Sequence, residues 1–241
     1  MEFYAKSDVG RVRTENQDAY RIPTENEEIQ LFIVADGMGG HNGGKIASNM
    51  AVETICEYIK GNMLVNEDKS NLLKKAVEYA NSEIYKKSVE EAELEGMGTT
   101  IVACLIYNSK LYLGHIGDSR IYRIRKNILR QLTKDHSYVE KLVADGTITR
   151  EESYTHPKKN MITKALGCTP FVEPDIKIKS LLRNDILVLA TDGLTNMVPE
   201  SKIFKIIVEN SRDLKAVSDE LISEANNAGG YDNITALIIK N

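Results

Sequence analysis

The sequence predicts an α/β protein, a four-layer αββα sandwich of two mainly antiparallel sheets flanked by helices. Three observations point there. Residues 100–132 read as strand, "NS" turn, strand, "GDS" turn, strand, "KN" turn, strand. Connections this short force antiparallel pairing, because parallel strands need a long crossover. The runs "LFIVA", "IVACLIY" and "ILVLA" are apolar throughout. They must be covered on both faces, since a strand with one wet face alternates. The stretch from Lys69 carries Leu72, Leu73, Ala76, Val77, Ala80 and Ile84 on one helical face. Doubly covered antiparallel strands with amphipathic helices stack as sheet on sheet, helices outermost.

Taken in order, Phe3–Lys6 and Ala19–Ile22 are short strand candidates, and Ile29–Ala35 is a buried strand ending at Asp36. Helix Lys45–Lys60 follows a glycine cluster, and Lys69–Glu93 is the long amphipathic helix. The meander supplies strands Thr100–Tyr107, Lys110–Ile116, Arg120–Arg125 and Ile128–Leu132. Tyr138–Ala144 is a short helix, Ile186–Ala190 an apolar strand, Ser201–Glu209 and Asp213–Asn226 two helices, and Ile234–Ile239 the last strand. No repeat, low-complexity tract or Pro/Gly-rich linker divides the chain, so residues 1–241 read as one domain.

Composition excludes several classes. The net charge of −4 argues against a nucleic-acid binder. The basic run Arg120, Arg123, Arg125, Lys126, Arg130 and Lys134 reads as a solvated strand face and turn. The cysteines Cys56, Cys104 and Cys168 form no C-x-x-C pair, which points to a reducing compartment. The N-terminus "MEFYAKSDVG" lacks the pattern of a signal peptide, and no apolar run approaches a membrane span. The expected location is cytoplasmic.

The chemistry gathers at strand ends. Three apolar strands end in an acid, at Asp36, Asp118 and Asp192, and two begin near one, at Asp18 and Asp232. In antiparallel sheets these ends can meet on one rim. Glycines stand beside four of the five: Gly37, Gly117, Gly193 and the pair Gly229–Gly230. Clustered aspartates repel one another unless cations neutralise them. No Cys or His sits among them at ligand spacing, so the expected ions are Mg²⁺ or Mn²⁺ held by oxygen. A phosphate-binding loop is the competing reading, because residues 39–45 match G-x-x-x-x-G-K. Ile46 stands where that loop needs Ser or Thr, and the antiparallel meander contradicts both nucleotide folds.

The motifs "GRVRTENQDAY", "VADGMGGHNGG", "GMGTT", "GHIGDSRIYR", "LTKDHS", "LATDGLTNMV" and "GGYDNITALII" occur in this order from Gly10 to Ile239. This set resembles the bacterial branch of the metal-dependent protein Ser/Thr phosphatases, type 2C, also called the PPM family. The resemblance implies two core Mn²⁺ or Mg²⁺ ions between the sheets, with a third, weaker one possible. Asp36 would bridge the core pair, Asp192 and Asp232 would complete one shell, and Asp18 with the Gly37 carbonyl would serve the other. Asp118 with Asp192 matches the third site, and Arg13 matches the arginine that grips the substrate phosphate. The implied reaction is attack on phosphorus by a hydroxide shared between the two ions. The implied substrates are phosphoserine and phosphothreonine proteins, and the implied partners include a Ser/Thr kinase.

This sequence departs from relatives at two positions. Gln17 stands where many have Glu, and Met38 stands where eukaryotic members have a His. His41 is then the nearby candidate for protonating the leaving oxygen, while His115, His136 and His156 read as non-catalytic. Residues 137–164 resemble the flap of bacterial relatives and are expected to help choose substrates. Thr99 and Thr100 are expected to support the site. The alternative function is a catalytically silent phosphoprotein-binding module on the same fold, and a narrower one is a dedicated anti-sigma-pathway phosphatase.

Overall fold

The computed structural model describes residues 1–23, 30–40, 42–63 and 68–241. The chain opens with β1 (Glu2–Asp8), β2 (Asp18–Arg21) and β3 (Gln30–Met38), followed by helices α1 (Gly43–Asn62) and α2 (Lys69–Glu90). Strands β4 (Gly98–Thr99), β5 (Ile101–Tyr107), β6 (Lys110–Ile116), β7 (Arg120–Arg125) and β8 (Ile128–Gln131) come next. Helices α3 (Tyr138–Ala144) and α4 (Arg150–Thr155) lead to β9 (Asp175–Ser180) and β10 (Ile186–Ala190). Helices α5 (Asp192–Thr195), α6 (Glu200–Asn210) and α7 (Leu214–Asn227) precede the last strand, β11 (Ile234–Lys240).

One sheet has the order β1-β11-β10-β7-β8 and the other β2-β3-β5-β6-β9, with β4 paired to β3. Every pairing is antiparallel. Alternation along each strand sorts the side chains into three apolar layers. Ile33, Ala103 and Leu105 pack under Ile55, Ile59, Leu73 and Val77 of α1 and α2. Val188, Ala236 and Ile238 pack under Ile203, Ile207 and Leu221 of α6 and α7. Between the sheets lie Phe32, Val34, Val102, Leu187, Leu189, Leu237 and Ile239. Three apolar layers require four layers of structure, which is the sandwich expected. Each fully buried side chain of this kind contributes roughly 1.5–3 kcal/mol, so the middle layer fixes the two sheets against each other and makes their rim rigid.

Several elements differ from expectation. Strand β3 runs past Ala35 to Met38, because β4 pairs with Gly37 and Met38; its expected first residue, Ile29, lies outside the described residues. Helix α1 starts at Gly43 rather than Lys45, and α2 stops at Glu90, before a 3-10 turn at Ala92–Leu94. Strand β9, "DIKIKS", was not expected: it is an edge strand whose lysines mask its apolar alternation. Helix α4 lies in the segment read as loop. Its signal was present in "TREE", where Thr149 and Glu152 form a capping box. The one-turn helix α5 is too short to leave a periodic pattern.

Candidate active site

The acids follow from strand alternation. Phe32 and Val34 face the other sheet, so Asp36, two residues further along β3, continues that face at the rim. Asp18 is its register partner in β2. On the opposite sheet, Leu187 and Leu189 of β10 lead to Thr191, and Leu237 and Ile239 of β11 share a face with Thr235. The middle layer is therefore apolar inside and becomes polar where it reaches this edge.

Hydrogen bonds aim the acids. Asp18 Oδ2 accepts from the hydroxyls of Thr191 (3.0 Å) and Thr235 (2.6 Å). Thr235 has a single hydroxyl proton, so Ser7, 2.7 Å away, donates to it, and Asn16 Nδ2 donates to Ser7 at 2.8 Å. The other oxygen of Asp18, Oδ1, is buried without a hydrogen-bond partner among the described residues. Asp36 is held by its backbone: its N–H donates to Thr100 Oγ1 (3.0 Å), and its carbonyl accepts from Thr100 N–H (2.9 Å) and Thr99 Oγ1 (2.9 Å). The two threonines thus support the site as expected. Asn196 Nδ2 donates to Asp192 Oδ2 at 3.0 Å, and Arg13 Nη2 to Asp232 Oδ2 at 3.0 Å.

Arg13, Asp36, Gly37, Asp118, Asp192 and Asp232 line one cleft of about 480 Å³. Asp18 lies against it, its charge acting on Asp36. The structure therefore brings together all five acids, Gly37 and Arg13. His41 falls outside the described residues. Among the described residues no histidine lines the cleft; His115 is buried in β6, and His156 caps the end of α4.

Burial first, and repulsion by its neighbours second, pushes the Asp36 carboxyl well above its ordinary value. Burial likewise raises Asp18 to about 7, against the pull of the two threonine hydroxyls. Asp118 is raised to about 8 and Asp192 to about 6, burial leading in both. A carboxyl with a raised folded pKa penalises the fold once it ionises, so stability is lost as pH climbs from the ordinary 3.8 toward 8. With chelator present, Asp118→Asn is expected to melt higher than the wild type at pH 8 and with it near pH 4. Thermal melts across that range check this, and an equal or lower melting point at pH 8 contradicts it.

The donor set fits divalent cations. It is all oxygen, it is too crowded to hold its charge alone, and Asp18 Oδ1 is a buried acceptor that no described residue satisfies.

The protein phosphatase 2C family model matches residues 10–225. This chain belongs to the protein phosphatase 2C family. The serine/threonine phosphatase stp of Listeria monocytogenes is 40% identical over 237 residues, covering 98% of this chain and 94% of that one. The serine/threonine phosphatase PstP/Ppp of Mycobacterium tuberculosis superposes with a TM-score of 0.91 at 34% identity, over 100% of this chain and 99% of that one. A PstP catalytic domain in complex with two manganese ions superposes with a TM-score of 0.87 at 34% identity, over 98% and 96%.

In this phosphatase the supporting residues were harder to foresee than the acids. Asn233 donates to the carbonyls of Val9 (3.0 Å) and Glu15 (2.9 Å) and accepts from Gln17 N–H (2.8 Å), so it anchors the loop that carries Arg13. Thr191 and Thr235 carried a signal only through their places beside Asp192 and within β11. Asn160 and Ile162 reach the phosphatase cleft from the segment after α4. No described helix is long and apolar enough to cross a membrane.

Proposed function

We propose that this phosphatase removes phosphate from phosphoserine and phosphothreonine of proteins, using Mn²⁺ or Mg²⁺. The observation that carries the reading is Asp18 Oδ1, a buried and unsatisfied acceptor within a set of raised carboxyls beside Arg13. Asp36, Asp192 and Asp232 would hold one ion, Asp36, Asp18 and the Gly37 carbonyl the other, and Asp118 with Asp192 a weaker third. Such a pair of ions supplies a water of lowered pKa and neutralises charge on phosphate. The chain's residues do the rest. Thr191 and Thr235 hold Asp18 by its Oδ2 and leave Oδ1 unclaimed. Thr99 and Thr100 fix Asp36 by its backbone. Arg13, half exposed at the cleft, can present two N–H groups to phosphate oxygens, a geometry Lys cannot copy. The family membership and the intact set of acids weigh against a silent binding module.

Two predictions test the substrate contacts. Arg13→Lys is expected to lower kcat/KM for a phosphothreonine peptide by roughly 10–100-fold, the loss of about 1.5–3 kcal/mol for a charge-assisted pair, while Mn²⁺ binding persists. An unchanged kcat/KM would remove Arg13 from the site. His41 follows Gly40, which lines the cleft, and is our candidate acid for the leaving oxygen. His41→Ala should slow hydrolysis of phosphothreonine peptide and spare an aryl phosphate, whose leaving group needs no proton. Equal effects on both would exclude that role.

We read residues 1–241 as one phosphatase domain, with residues 137–164 as a flap that helps choose substrates; Asn160 and Ile162 on the cleft support this. We read its setting as the cytoplasm and its opponent as a Ser/Thr protein kinase. A phosphoproteome compared with and without the active protein tests this, and no change in phosphoserine or phosphothreonine sites would oppose it.

A further inference from the structure

Behind the Asp118 turn lies a group of side chains that the hydrolytic reading leaves unused. His115 in β6 is the register partner of Asp175 in β9. The ring of His136 stacks on that of His115, with centroids 4.7 Å apart and planes at 26°. His136 Nε2 is 3.4 Å from Asp175 Oδ1. His136 also clasps Gly117 twice: its backbone N–H donates to the Gly117 carbonyl at 2.7 Å, and Gly117 N–H donates to its Nδ1 at 3.1 Å. On its other side Gly117 has no room, since an added Cβ would lie 2.5 Å from Thr100 Cγ2, and its φ of +103° favours glycine. Asp118 is the next residue.

These bonds fix the tautomer of His136. Nδ1 accepts a hydrogen bond, so in the neutral ring the proton is on Nε2, facing Asp175. That assignment decides against a metal here. His115, His136 and Asp175 do offer ligand atoms within 4.8 Å of one another. A metal-bound histidine, however, donates through its other nitrogen, whereas His136 accepts there. An ion at this trio would cost the Gly117 bond.

We propose that His136 is the positioning residue for Asp118: Asp175 sets its tautomer, its Nδ1 holds the Gly117 amide, and the turn presents the Asp118 carboxylate at one place on the rim. Thr100 closes the far side of Gly117. It also binds the backbone of Asp36, so the two acids share one support. His115 is an uncharged floor for the ring above it, since burial, then His136, pushes its pKa down to about 3. The His136 carbonyl accepts from Thr163 N–H at 2.7 Å, which ties the end of the flap segment to the same turn. The inference rests on the reading of Asp118 as a ligand of the weaker ion.

The test uses the full chain and Mn²⁺ alone. His136→Asn puts a carbonyl oxygen near the place of Nδ1, whereas His136→Phe keeps the stacked ring and removes the acceptor. Calorimetric titration is expected to show the weakest Mn²⁺ site loosened roughly 10–100-fold in His136→Phe and within about threefold of wild type in His136→Asn, as for other residues that orient a ligand. The two tighter sites should stay as they are. In the metal-free wild type, nitrogen NMR should find His136 with its proton on Nε2, and His136→Phe should shift the Gly117 amide. Wild-type binding in His136→Phe, a proton on Nδ1, or a Zn²⁺ site lost in Asp175→Asn would each overturn the proposal. Asp118→Asn separates the two claims. If it leaves all Mn²⁺ binding unchanged, Asp118 is no ligand, and the tautomer and the Gly117 shift still decide what His136 does.

Discussion

Hydrolysis of a phosphothreonine peptide by Asp36→Asn is expected to fall by roughly a thousandfold or more, about 4 kcal/mol of transition-state stabilisation. Asp36 lies inside β3, its backbone held by Thr99 and Thr100, so the amide will occupy the same place as the carboxylate. What changes is charge. The substitution removes the anion that the other acids repel most directly, since Asp18, Asp192, Asp118 and Asp232 all push its pKa upward. The metal-free variant should therefore melt higher than the wild type, with a gap that widens as pH climbs above the ordinary 3.8, while its Mn²⁺ affinity collapses. Asp192→Asn should behave alike, with a smaller gain in stability because Arg120 and Arg13 already offset part of its charge. Activity lost together with the fold would count against this account, because it would make these acids structural. Activity kept within tenfold of wild type in both variants would exclude them from the reaction.

The second large effect is expected at Gly193. A Cβ there would lie 2.0 Å from the Asn233 carbonyl oxygen and 3.4 Å from Asp232 Cβ. The obstruction is backbone, which cannot rotate aside. Gly193→Ala must push α5 away from the segment before β11, separating Asp192 from Asp232. Overpacking of this kind costs about 1–3 kcal/mol of stability, and a displacement near 1 Å at a reacting centre costs about 100-fold in rate. Gly61→Ala is the control. It sits near the end of α1 with no described residue within 4 Å of the added Cβ, so it should be neutral or slightly stabilising. Stability and kcat/KM are read from melts and peptide hydrolysis. A Gly193→Ala enzyme of wild-type activity would show that the two acids need not approach so closely.

The acids were legible because each stands where an apolar strand stops or starts, and antiparallel pairing brings such ends to one edge. The sandwich was legible because two-sided apolar strands cannot face water. Other parts left weaker marks. Strand β9 reads as polar because half its residues are charged, yet its pairing with β6 places Asp175 opposite His115. The roles of Thr191, Thr235 and Ser7 depend on two sheets meeting across the middle layer, a relation between β2 of one sheet and β1, β10 and β11 of the other that no local window contains. His136 looked like a turn residue from its neighbours "KDHS", and that is what it is; which turn it holds is set by the contact with Gly117, nineteen residues away along the chain. The extent of β3 was misread because the residue after Ala35 is charged, and the two-residue strand that pairs with its end is too short to predict.

Anomalous scattering from Mn²⁺-soaked crystals would locate the ions among these acids. Two strong peaks beside Asp36 are expected, one also near Asp192 and Asp232, the other near Asp18 Oδ1 and the Gly37 carbonyl, with any weaker third peak at Asp118. Peaks elsewhere, or an Asp18 Oδ1 that stays bare with Mn²⁺ in excess, would contradict this.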